Sequence, residues 1–125
     1  MLLFDTSAII RWMSADKDKF NVASRVGISV LSISELLPRA MFKGKKHIKG
    51  LELFLSEVDI FPLNEKIARI ASDGKFKLIK KGKEKSLIDL WIAATANYYG
   101  LKLFTLDRDF EDISNVIQIE LELLK

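Results

Sequence analysis

Five acidic side chains in this sequence stand where carboxylates could act together. Asp5 follows the apolar run "LLF", Glu35 lies in "SISELL", Asp89 in "SLIDLWIAA", and Asp107 and Asp109 close "LFTLDRDF". Carboxylates drawn within a few ångströms of one another repel, and such groups are tolerated mainly by taking up a proton or a cation. Hard oxygen donors without His or Cys suit Mg²⁺ or Mn²⁺. A cation held in this way acidifies a water and offsets the charge that builds on a phosphoryl group, so the chemistry at issue is hydrolysis of a phosphodiester.

Taken singly, each acid also fits an ordinary role at a helix start. Asp5 suits an N-cap, and "SISE" and "SLID" both match the capping-box pattern, pairing Ser32 with Glu35 and Ser86 with Asp89. Asp107 suits a short turn. Topology separates the two readings. In an open parallel sheet the carboxyl ends of the strands and the helices that follow share one rim, and ligands bind where the strand order reverses. Acids on that rim would face one another.

The elements that must place them are legible as alternating runs. Predicted strands are "LLF" (2–4), "GISVL" (27–31), "VDIF" (58–61), "KLFT" (102–105) and "VIQIEL" (116–121). Most lack clean alternation, as expected of strands buried on both faces. Predicted helices fall between them: "TSAIIRWM" (6–13), a short one over "FNVASRV", "ISELLPRAMFKG" interrupted or bent near Pro38, "IKGLELFLSEV" (48–58), one starting at Asn64, and "SLIDLWIAATANYYG" with Gly100 at its stop. This order predicts an α/β fold with a mainly parallel sheet of about five strands, in one domain spanning residues 1–125.

Composition narrows the function classes. The chain is 49% hydrophobic and 30% charged, with 20 Lys and Arg against 17 Asp and Glu, a net charge of +3 that permits a polyanionic partner without requiring one. There is no cysteine, which excludes disulfides, thiolate catalysis and Cys-based metal sites and agrees with a reducing cytoplasm. His47 is the sole histidine, which argues against multi-imidazole zinc and a Ser–His–Asp relay; in "KGKKHIKG" it reads as a surface residue. No apolar run has the roughly 18 to 20 residues of a membrane span, and "MLLF" reaches Asp5 before a signal-peptide core could form, so no membrane role is expected.

The basic run "KFKLIKKGKEK" (75–85) leads into the Asp89 helix. Its Lys80, Lys81, Lys83 and Lys85 are candidates for sequence-independent contacts to a nucleic-acid backbone, or else form a solvated helix end. Trp91 reads as core, and Trp12 as either interior or interface.

The ordered set "LLFDTSAII", "ISVLSISELL" and "LIDLWIAATANYYGLKLFTLDRDF" resembles the PIN-domain nucleases, and within them the VapC-type toxin ribonucleases. The resemblance spans nearly the whole chain. It implies a three-layer α/β/α fold and a metal-dependent endoribonuclease that hydrolyses RNA. Its cations, Mg²⁺ or Mn²⁺, would be held by Asp5, Glu35, Asp89 and Asp107, with Thr6, Ser7, Thr105 and Asp109 in support. It also implies a small antitoxin protein as partner and a homodimer. Two departures from the family pattern stand near the site: Pro38 shortly after Glu35, and Leu106 where many relatives carry a polar residue.

Three alternatives to the toxin reading remain open on sequence grounds. One is an RNA-processing nuclease of the same fold. Another is a non-catalytic RNA- or protein-binding module in which the acids only cap helices. The last is a different aspartate-based phosphoryl enzyme, disfavoured because Ser7 stands where a haloacid-dehalogenase-like phosphatase needs its second Asp and because a receiver's paired acids are missing.

Overall fold

The strand β1 (Leu2–Phe4) is three residues long and buried throughout, and its alternation assigns the two faces of the molecule. Leu3 points into a core built with α4 (Glu65–Lys80), α5 (Leu87–Tyr99) and α6 (Asp109–Ser114). Leu2 and Phe4 point the other way, into a core built with α1 (Thr6–Ser14), α2 (Val30–Lys43) and α3 (Lys45–Glu57). Successive side chains on a strand leave opposite faces, so a sheet carrying apolar residues at every position must be covered twice. The result is the expected three-layer α/β/α arrangement. These features come from a computed structural model that describes residues 1–14 and 25–124.

The remaining strands are β2 (Val26–Ser29), β3 (Asp59–Phe61), β4 (Lys102–Thr105) and β5 (Glu120–Leu123). They form one sheet in the order β3-β2-β1-β4-β5. All four pairings are parallel, with Phe4 level with Ile28 on one side and Phe104 on the other. The order runs outward from β1 in one direction through β2 and β3 and in the other through β4 and β5. The reversal therefore falls between β1 and β4, whose carboxyl ends carry Asp5 and Asp107.

Several boundaries differ from the sequence expectation. The run "GISVL" splits, because Ser29 caps a helix that starts at Val30; its Oγ accepts a hydrogen bond from the Leu31 amide. Val30 and Leu31 are thus helical. The last strand pairs over Glu120–Leu123, later than "VIQIEL" suggested, because Ile117 is consumed as a buried plug against Gly74 of α4. The helix α6 replaces an expected turn. Of the short helix expected over "FNVASRV", residues 20–24 lie outside the described residues, and Val26 opens β2.

Pro38 lies within α2 on an exposed face and does not end the helix, which continues to Lys43 and stops at Gly44 with φ 115°. Gly100 closes α5 in the left-handed conformation, as the sequence predicts. Trp12 packs on Phe4 and Phe54 at ring separations of 5.2 and 6.3 Å, so it belongs to the core on the α1 side. Trp91 packs against the other core.

Candidate active site

Asp5 follows β1 directly and is 4% exposed. Burial of a carboxylate needs hydrogen bonds, and this one is surrounded by donors. Oδ1 accepts from the Ala8 amide at 2.9 Å and lies 2.7 Å from Ser7 Oγ. Oδ2 accepts from Thr105 Oγ1 at 2.5 Å. The Asp5 amide donates to the Phe104 carbonyl, and Ser7 Oγ accepts from the Leu106 amide. Asp5 therefore caps α1 and also fastens the end of β1 to the end of β4. Burial raises its pKa above the ordinary value, the hydrogen bonds from Thr105, Ala8 and Ser7 oppose that rise, and the negative charge of Asp107 adds to it.

Glu35 lies in the middle of α2 and not in a capping box, since the cap is Ser29. Ser32 and Glu35, three residues apart, share a helix face. Thr6 Oγ1 approaches both, at 3.2 Å from the buried Ser32 hydroxyl and 2.6 Å from Glu35 Oε1, and its proton goes to the carboxylate. The first residue of α1 thus orients an acid carried by α2.

Asp89 occupies the first turn of α5, where its amide donates to Ser86 Oγ at 3.1 Å. Here the capping reading and the site reading coincide, for the side chain is half-buried and faces the other acids. Its pKa is pushed up to about 6, first by burial, against the Ser86 hydrogen bond, and further by the charges of Asp107, Asp5 and Glu35. Four acids from four separate segments therefore share one field.

Asp107 follows β4. Its amide donates to Thr105 Oγ1, and its Oδ1 accepts from the Asp109 amide at 2.9 Å, which turns the chain back toward Asp89. Asp89, Asp107 and Asp109 each offer an oxygen, and these oxygens lie within 4.8 Å of one another. Asp109 is thus drawn in more closely than a supporting role requires.

The donor set suits a hard divalent cation. All the converging groups are carboxylates, two of them bear raised proton affinity, and no imidazole joins them, since His47 is exposed on α3 in a groove with Ile10, Arg39 and Leu51. Of the lysines, Lys80 and Lys81 are exposed at the end of α4, Lys80 lying 5.4 Å from the Phe76 ring centroid. Lys83 and Lys85 are instead engaged with acids of α6. Lys83 reaches Asp112 at 3.3 Å, and Lys85 reaches Asp109 at 3.0 Å and Asp112 at 3.2 Å. That ion-pair cluster was not anticipated in the sequence, where the partners stand more than twenty positions apart.

Residues 2–116 match the PIN domain family. The chain belongs to that family. A curated relative, Ribonuclease VapC5 of Mycobacterium tuberculosis, is 25% identical over 124 residues, covering 95% of this chain and 92% of the relative. The VapBC2 structure from Rickettsia felis, bound to a promoter DNA fragment, superposes with a TM-score of 0.84 at 21% identity over the full length of both chains. DNA-bound VapBC from Salmonella typhimurium gives 0.83 at 26% identity over 98% of each chain. No described helix of this PIN-domain protein is long and apolar enough to cross a membrane.

Proposed function

We propose that this protein is a metal-dependent endoribonuclease, a single nuclease domain over residues 1–125 and the toxin of a VapBC-type pair. The observation that carries the reading is the convergence of Asp89, Asp107 and Asp109 within 4.8 Å beside a buried Asp5 and a Thr6-oriented Glu35. Asp5, Glu35, Asp89 and Asp107 would hold Mg²⁺ or Mn²⁺, with Asp109 adding a fifth carboxylate. The bound cation would acidify the attacking water and offset charge on the phosphoryl oxygens.

The chain's own contribution is positional. Ser7 and Thr105 fix both oxygens of Asp5, Thr6 fixes Glu35, and the Ser86 cap fixes the turn that carries Asp89. Lys80 and Lys81, exposed at the end of α4, would contact RNA phosphates without reading sequence. Lys83 and Lys85 would make the same contacts in competition with their ion pairs to α6. A solved structure of similar fold, VapBC-5 from Mycobacterium tuberculosis, is of a member of the VapBC family of toxin–antitoxin systems, which supports a small antitoxin as partner; a homodimer in the cytoplasm completes the reading.

The test is cleavage of a structured RNA with Mg²⁺ or Mn²⁺, repeated with a chelator and with Asp107→Asn. Loss of cleavage in both controls is expected. Cleavage that survives chelation would overturn the metal-dependent assignment. A neighbouring reading frame encoding a DNA-binding antitoxin separates the toxin from an RNA-processing nuclease of the same fold.

A further inference from the structure

Lys85 occupies an unusual position among the site's charges. It immediately precedes Ser86, the residue that caps α5 and so sets the turn bearing Asp89. Its ammonium ends between Asp109 and Asp112, at 3.0 and 3.2 Å, and the side chain is only 17% exposed. Asp109 is itself one of the three acids whose oxygens converge. One side chain thus ties the entrance of α5 to the first turn of α6, the two segments that supply Asp89 and Asp109. Its own backbone is held in turn, because Lys75 Nζ donates to the Lys85 carbonyl at 2.8 Å and pairs with Glu84 at 2.9 Å.

From this arrangement, and resting on the metal-centre reading above, we infer that Lys85 is a positioning residue of the cation site, holding Asp109 and the Asp89 turn in register. Two effects of the ammonium oppose each other. As a positive charge beside a cation site it repels the incoming ion. As a tether it removes the freedom of a carboxylate that must meet Asp89 and Asp107 at short range, and groups that orient metal ligands in this way commonly alter affinity by about 10- to 100-fold. The geometry favours the tether. One oxygen of Asp109 is already spent on Lys85, which weakens the repulsion among the acids before any ion arrives, and Asp112 takes a further share of the ammonium's charge. The opposite signs of the two effects make the inference easy to test.

The experiment is a calorimetric titration of the metal-free protein with Mn²⁺, supported by magnetic-resonance detection of free Mn²⁺. Lys85→Met is expected to weaken binding by about tenfold, although it removes a repelling charge, and Lys85→Arg, which keeps both ion pairs, is expected to restore it to within about twofold. In an Asp109→Asn background the Lys85→Met effect should largely vanish, because the lysine acts through that carboxylate. Lys85→Gln serves in place of Lys85→Met if the latter fails to fold. Binding by Lys85→Met or Lys85→Gln as tight as the parent protein, or tighter, overturns the inference while leaving the metal centre intact. A parent protein that takes up no Mn²⁺, with Asp107→Asn no different from it, overturns the metal centre itself.

Discussion

Thr105 Oγ1 donates to Asp5 Oδ2 at 2.5 Å, joining residues 100 positions apart across the β1–β4 boundary. The same hydroxyl accepts from the Asp107 amide. One buried threonine therefore sets the height of two acids relative to each other. Thr105→Val keeps the volume and β-branching but leaves a buried carboxylate oxygen short of a donor. It is expected to cost about 1–3 kcal/mol in urea unfolding, whereas Thr105→Ser should cost less.

Thr6 stands in the same relation to Glu35. Thr6→Val removes the 2.6 Å hydrogen bond that aims the carboxylate and is expected to lower Mn²⁺ affinity or cleavage rate by roughly tenfold, with Thr6→Ser close to the parent. An unchanged titration curve for Thr6→Val would show that Glu35 holds its place without Thr6.

The metal-free protein should lose stability as pH rises through the range where Asp89 ionises. Its pKa rises from 3.8 to about 6 on folding, mainly through burial, so the folded chain holds that proton more tightly than the unfolded chain. The associated stabilisation is complete below 3.8 and is lost as pH climbs through about 6. Asp5, shifted in the same direction, adds to the trend. Thermal unfolding across this window should show the midpoint falling, and Asp89→Asn should flatten the curve. Mn²⁺ affinity should rise over the same window, because protons and cations compete for the same oxygens.

Two glycines should respond in opposite directions to alanine. A Cβ at Gly27 of β2 would lie 2.3 Å from Phe61 Cε2, and that ring is already packed on Tyr99 at 4.7 Å. Gly27→Ala is expected to destabilise by about 1–3 kcal/mol. Gly50, exposed in α3 with open space around it, should gain up to about 1 kcal/mol on the same change. Denaturant midpoints for the two variants check both signs.

The alternation of apolar runs made the layered parallel sheet legible, and once the sheet order was assumed, the acids at the ends of its strands pointed to one rim. What sequence could not resolve is instructive. "SISE" matched a capping box, but the serine that caps is Ser29, because β2 passes into α2 without a linker and the apolar run hides the junction. Glu35 follows β2 as expected but lies inside α2, where the capping-box alternative for it does not apply. "VIQIEL" looked like a strand throughout because packing against Gly74 and pairing with β4 draw on the same residue types. Lys83 and Lys85 resembled a free basic patch because their partners, Asp109 and Asp112, become neighbours only after α5 and α6 meet. Asp109 was in view as a helper, yet its nearness to Asp89 depends on the turn made by Asp107 Oδ1.

The adjacency of β1 and β4 has a bearing on when the acid cluster can first form. A nascent chain still lacking Thr105 can pair β1 with β2 alone, Asp5 lacks the Thr105 hydroxyl, and the segment bearing Asp107 does not yet exist. Contacts of such long sequence separation form late and slowly. During synthesis the acid cluster cannot assemble until the chain's final quarter has left the ribosome.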